Sequence, residues 1–254
     1  GRAPKGDQRL HPAAGPRLDS PAALDALERL LAPLPERVVL LANNPLLLPV
    51  LPGLRLDAGT LLVQFNATPF DTLLAERPGR RLYVMTHHEL RFFGFDAAGQ
   101  PRLPLLARAA PPPGFLFCGR DLHPLAGFLA TLPPEVACLQ VTQKRWLLPD
   151  YPRGRAPSTG FLMAALLVAL NRRREASGQA ALALGLVGFT AYRRGALALH
   201  DWWYEQRWLR RQPGLRLEAQ GAVEPGAGLR AAGWCLSHWR SRLRGAVARL
   251  RGRD

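Results

Sequence analysis

Arg37-Val38-Val39-Leu40-Leu41-Ala42-Asn43-Asn44-Pro45 is a short apolar, partly β-branched run that stops at a polar turn. A continuous apolar run bounded by turn residues reads as a strand buried on both faces, and the Asn-Pro closing it is turn chemistry. Leu61-Leu62-Val63-Gln64-Phe65-Asn66 and Leu82-Tyr83-Val84-Met85 repeat the pattern, each passing into polar residues. Val136 to Val141 and Ala181 to Val187 are two further strands. Helical patterns lie among them. Ser20-Pro21 opens a helix over about 21–32 with Leu24, Leu27, Leu30 and Leu31 on one face, 123–132 suits a short helix, and Gly160 to Arg174 forms a long one. This alternation predicts an α/β fold: a single Rossmann-like domain with a mostly parallel sheet flanked by helices. Such sheets bind ligands beyond the carboxyl ends of their strands, where Asn43, Asn44 and Asn66 stand.

With 254 residues and 48% hydrophobic content the chain is long enough to bury one substantial core. Residues 1–19 are polar and rich in proline and glycine without an apolar centre, which predicts a disordered linker and no secretory signal. Residues 20–228 make up the α/β domain, with the proline-rich stretch 97–113 as a surface loop. In 229–254, Leu236, Trp239, Leu243, Val247 and Leu250 recur at helical spacing among six arginines (240, 242, 244, 249, 251 and 253), a basic amphipathic helix suited to an anionic membrane surface. The longest apolar helical run, Phe161 to Leu170, is ten residues, about half of what a bilayer span needs. Cys118, Cys138 and Cys235 are odd in number and lack a CxxC, so neither a disulfide framework nor a zinc site is indicated and a cytoplasmic location fits. The net charge of +15 comes mostly from arginine, which admits nucleic acid, anionic membrane and anionic substrates alike.

Ser158-Thr159-Gly160 opens the long helix, where free amides and the positive dipole end attract an anion. The same residues also serve as an ordinary helix cap. Asparagine amides at adjacent strand ends offer donors and acceptors to a ribose, a phosphate or a base edge, and equally close turns. His200, beyond the last strand, is a candidate base at neutral pH, with Glu205 five residues on either to orient the imidazole or to face solvent. Tyr192 is a candidate donor to a leaving phosphate or a half-buried loop tyrosine, and Trp202, Trp203, Tyr204 and Trp208 suit packing of their helix onto the sheet. His87-His88-Glu89 has poor spacing for one ion, and the chain carries no HExxH and no acidic DxD pair, so no divalent metal or other cofactor is expected. GxxxxGK[ST] and GxSxG are absent too, which argues against a P-loop NTPase and an α/β-hydrolase.

Taken in order, Pro157-Ser158-Thr159-Gly160 with its apolar helix, Leu186-Val187-Gly188-Phe189, and His200 followed after four residues by Glu205 resemble the motifs of the sialyltransferase superfamily, the inverting glycosyltransferases that use CMP-activated ulosonic sugars. Leu40 to Pro45 and Val63 to Asn66 resemble that family's first two strands and nucleotide loops, and the likeness covers about residues 37–95 and 153–210. Two departures stand out. Asn44 replaces a usual glycine, and Thr86-His87-His88 stands where bacterial members carry Asn-Pro-Ser. The resemblance implies a GT-A-like fold and metal-independent transfer of a sialic acid or Kdo-type sugar to a glycan or lipid-linked acceptor. It makes His200 the general base, with Glu205 beside it, and gives Asn43, Asn44, Asn66, Ser158, Thr159 and Gly160 to the nucleotide. Tyr192 would meet the phosphate and Arg155 the donor carboxylate. With the basic tail this implies a cytoplasmic enzyme peripheral on the inner membrane, with no nucleic acid as partner. A basic nucleic-acid-binding module and a non-catalytic transferase-like scaffold are the alternatives that the charge and fold admit.

Overall fold

Successive side chains of a strand point to opposite faces, and in the opening apolar run both sets are buried. Val38 and Leu40 join one apolar cluster while Val39 and Leu41 join another on the far side of the sheet. The next strand divides the same way, with Leu61, Val63 and Phe65 on the first face and Leu62 on the second. Only a sheet covered on both sides rewards such continuous runs.

The computed structural model describes residues 15–66, 68–86, 114–119, 129–130, 132, 134–142, 144–190, 196, 198–221 and 223–250. Among them are seven strands: β1 (Arg37–Leu41), β2 (Thr60–Phe65), β3 (Arg80–Thr86), β4 (Gly114–Cys118), β5 (Cys138–Val141), β6 (Ala183–Val187) and β7 (Leu215–Leu217). They form one sheet in the order β5-β4-β3-β2-β1-β6-β7, and every pairing is parallel. The fold is therefore the expected Rossmann-like α/β domain. From β1 the chain builds outward through β2 to β5, then returns to place β6 on the other side of β1. That reversal makes the carboxyl ends of β1 and β6 a crevice, the usual ligand position in an open sheet.

Among the described residues are the α-helices α1 (Leu24–Leu31), α2 (Asp71–Leu74), α3 (Thr159–Ala176), α4 (Trp202–Arg210) and α5 (Ala227–Leu250). α1, α3 and α4 cover the first face, and Leu47, Leu51, Leu54, Phe70 and Leu74 cover the second. α3 is the central helix: every residue from Phe161 to Val168 is buried, so its apolar run reflects a helix enclosed on all sides. Its C-terminal half turns polar where Arg173 meets Asp25 and Arg174 meets Glu28, both on α1. Buried Asn171 donates to the Leu182 carbonyl at 2.9 Å and accepts from the Leu182 amide at 2.8 Å, fixing where β6 starts relative to α3. No helix among the described residues is long and apolar enough to cross a membrane.

Several expectations change. Residues 15–19 of the segment expected to be disordered run beside β5, where Arg17 bridges to Gln140, Leu18 is fully buried and Asp19 accepts from the Thr142 amide at 2.8 Å. Burial of Leu18 and the backbone pairing outweigh the local proline and glycine content. β4 and β7 are strands that the apolar patterning did not single out. The loop 97–113, His87-His88-Glu89 and most of 123–132 lie outside the described residues.

Replacing Asn171 by alanine leaves the buried amide and carbonyl of Leu182 without partners. Asn171→Ala is expected to lower stability by about 2–4 kcal/mol, read as a lower urea midpoint with unchanged m-value.

Candidate active site

Two segments meet where β6 has ended and α3 begins. The Ala156 amide donates to the Leu199 carbonyl at 3.0 Å, and the Ala156 carbonyl faces His200 Nδ1 at 2.7 Å. A carbonyl only accepts, so Nδ1 carries the proton, and in the neutral ring Nε2 is left with its lone pair. Burial holds the His200 pKa below its ordinary value; the Ala156 bond opposes this and the charge of Lys144 adds to it. Trp202 lies edge-on to the imidazole, with centroids 4.9 Å apart. His200 is thus a neutral, oriented imidazole held two residues upstream of the α3 cap.

Glu205, expected either to orient that imidazole or to face solvent, does neither. The first turn of α4 buries its carboxylate (2% exposed), which accepts from the Ser158 amide at 2.8 Å, the Ser158 hydroxyl at 2.6 Å and the Tyr151 hydroxyl at 2.8 Å. It occupies the place at the α3 N-terminus where an anion is favoured. Burial pushes its pKa up to about 7, against these hydrogen bonds. Ser158, expected to bind the nucleotide, spends its amide and hydroxyl on Glu205 while its oxygen accepts from the Phe161 amide at 3.3 Å. It is a structural cap, whereas the amides of Thr159 and Gly160 have no acceptor among the described residues.

Tyr151 was not predicted as a site residue, yet its hydroxyl is the hub. It contacts Glu205, lies 3.0 Å from the Ala156 carbonyl, and accepts from the Asp201 amide at 3.0 Å. Its pKa is raised by burial and the nearby carboxylates, so it stays protonated. Asp201 caps α4 by accepting from the Tyr204 amide at 2.9 Å and takes a 2.8 Å bond from His238 Nδ1 on α5. Asp201 could have been noticed from its place just before an aromatic-rich helix; His238 has no signal in the sequence that marks it.

The asparagines tie strand ends together. Asn43 donates to the Phe65 carbonyl at 2.7 Å, and Asn66, at φ 47°, accepts from the Thr86 amide at 2.9 Å. The Asn43 oxygen and the Asn66 amide nitrogen have no partner among the described residues. Asn44 departs from its expected nucleotide role: it is 1% exposed, donates to Thr190 Oγ1 at 2.8 Å and accepts from the Leu46 amide at 3.1 Å. Burial makes it a brace between the loops after β1 and β6. Gly160 lies against the Phe189 ring, which a Cβ would approach to 2.9 Å, so its lack of a side chain serves packing on this side.

Arg155 is directed elsewhere too. Its guanidinium donates to the Ala198 carbonyl and, at 3.1 Å, to Ser237 Oγ on α5, which leaves it a structural tie and not a free carboxylate clamp. Tyr192 lies outside the described residues. The structure therefore joins His200, Ser158 and Glu205 in one network, sets Thr159 and Gly160 at its edge, and holds Asn43 and Asn66 on neighbouring strand ends. Compared with protein-family models, curated proteins and solved structures, the chain finds no match.

Glu205 takes up a proton more readily folded, at about 7, than unfolded, at 4.5. Its contribution is fully favourable below pH 4.5 and is lost as pH rises through 7. Glu205→Gln, which keeps the shape without the charge, is expected to flatten the fall in stability across this window in urea melts at stepped pH. An unchanged slope would show that the carboxylate ionises there without penalty.

Proposed function

We propose that the chain is a metal-independent, inverting glycosyltransferase that moves a sialic acid or Kdo-type sugar from a CMP-activated donor to a hydroxyl of a glycan or lipid-linked acceptor. The observation that carries this reading is the His200 imidazole, whose proton is held on Nδ1 by the Ala156 carbonyl, two residues before the Glu205-capped start of α3. A base with its lone pair on Nε2 can take the proton of an acceptor hydroxyl. The acceptor oxygen then bonds to the anomeric carbon while the bond from that carbon to the phosphate oxygen breaks, and CMP leaves with the electron pair. The chain's part is to orient the base and to receive a monophosphate.

A single phosphate suits the Thr159 and Gly160 amides, which have no acceptor among the described residues, whereas the Ser158 amide and hydroxyl at the same helix end are taken by Glu205. The open Asn43 oxygen and Asn66 amide nitrogen at the ends of β1 and β2 suit the ribose and cytosine, which need both donors and acceptors. Glu205, Ser158 and Asn44 act in this reading as positioning residues. They hold the α3 start, the His200 segment and the strand ends in place without touching the substrate.

His200→Ala is expected to abolish transfer by at least about 100-fold while CMP binding, followed by calorimetry, persists. Full turnover in that variant removes His200 as the base, and absence of CMP binding by the wild-type chain removes the nucleotide reading. The pH profile offers an independent check. Because burial lowers the His200 pKa from 6.5 and the unprotonated ring is the active form, the acid limb of kcat/KM should have its midpoint below pH 6.5.

A further inference from the structure

α5 carries its apolar ridge on the outside. Leu229, Leu236, Trp239, Leu243, Val247 and Leu250 are between 44% and 87% exposed. At 3.6 residues per turn they fall within an arc of about 80°, forming a ridge roughly 30 Å long. On the opposite side His238 is 6% exposed and bonded to Asp201, so the helix is fastened to the domain by its polar side. The Arg155 bond to Ser237 is a second fastening. An ordinary surface helix has the reverse arrangement, with its apolar stripe turned to the core.

The flanks of the ridge are cationic. Arg240 and Arg244 lie along one side and Arg242 and Arg249 along the other, and the sequence from Ala227 to Leu250 contains no aspartate or glutamate. Arg230 is engaged by Glu224, while the other four arginines have no carboxylate partner among the described residues. Arg242 stacks over the Trp239 ring, its Cζ 5.9 Å from the centroid, which keeps a charge at the apolar boundary. We propose that this face of α5 docks on an anionic lipid bilayer, with the ridge among the acyl chains near the surface and the arginines among the headgroup phosphates. That combination of apolar stripe and flanking cations is the chemistry of an interfacial helix. A second copy of the chain fits less well, because apposed ridges bring eight arginines together with no acidic residue on either helix to neutralise them. Nucleic acid would use the arginines and leave the leucine ridge in water.

The inference goes beyond the transfer reaction and does not depend on the donor. If both hold, the two ties from α5 to Asp201 and Arg155 keep the His200 segment one helix diameter, about 10 Å, from the lipid surface on which a lipid-linked acceptor is displayed. The test is co-sedimentation of the full chain, without nucleotide or sugar, with vesicles of phosphatidylcholine alone or mixed with phosphatidylglycerol. The wild-type chain is expected to bind the anionic vesicles at least tenfold more tightly than the neutral ones. Leu236→Asp/Leu243→Asp and Arg240→Glu/Arg244→Glu should each weaken that binding at least tenfold while the circular dichroism melt and the CMP titration stay as in the wild type. Equal binding to neutral vesicles, no binding, or undiminished binding by either double variant overturns the proposal. So does a vesicle-free dimer, seen by sedimentation velocity, that Leu236→Asp/Leu243→Asp dissolves. Failure of the CMP titration alone would instead count against the transferase and leave the lipid surface standing.

Discussion

A carboxylate withdrawn from water is costly unless its oxygens find donors, and Glu205 finds them at the first turn of another helix. The Ser158 amide and hydroxyl and the Tyr151 hydroxyl all point at it. This single group joins α4 to α3, and through Tyr151 it reaches the Asp201 amide and the Ala156 carbonyl. The carbonyl in turn decides which nitrogen of His200 carries the proton. The orientation of the candidate base thus follows from how the protein satisfies one buried glutamate four residues beyond Asp201.

The same network separates residues that hold the site from residues that have bonding capacity to spare. Asn44, Ser158, Glu205 and Arg155 are engaged with protein partners on every side that the described residues show. Thr159, Gly160, Asn43 and Asn66 each keep a donor or acceptor without a partner among the described residues, and all four sit where α3 starts or just after a central strand ends. Phe65 and Phe189 are in T-shaped contact with centroids 6.2 Å apart, and Phe189 lies against Gly160.

Much of the fold was legible because parallel strands covered on both faces have to be apolar throughout, and β1, β2, β3 and β6 appear in the sequence as such runs. β7, three residues long and mostly exposed at a sheet edge, has no periodicity to detect. β4 is as long and as buried as β1, but it follows a proline-rich stretch that masks its onset. Residues 15–19 look unstructured because local composition says nothing of the β5 edge waiting for them. In the candidate site, motif spacing singles out His200 and the start of α3, and the folded chain brings these two segments together at Ala156. Spacing does not identify the partner of Glu205, because a carboxylate five residues after a histidine lies on the far side of the Asp201 cap and points at another helix. The Asp201–His238 bond spans 37 positions and joins two residues with no shared pattern, so only folded geometry reveals it.

The placement of β6 has a consequence for how the chain matures. β1 lies at the centre of the sheet, yet one of its two neighbours, β2, follows within about twenty residues, while the other, β6, begins at Ala183. During synthesis the β1 edge is complete long before its second partner has been made, and it exposes unpaired amides beside Val38 and Leu40 for that interval. Long-range parallel pairing of this kind is slow to form. Until β6 arrives, neither the crevice nor the seat for α4 exists, so the last third of the chain gates the folding of the first.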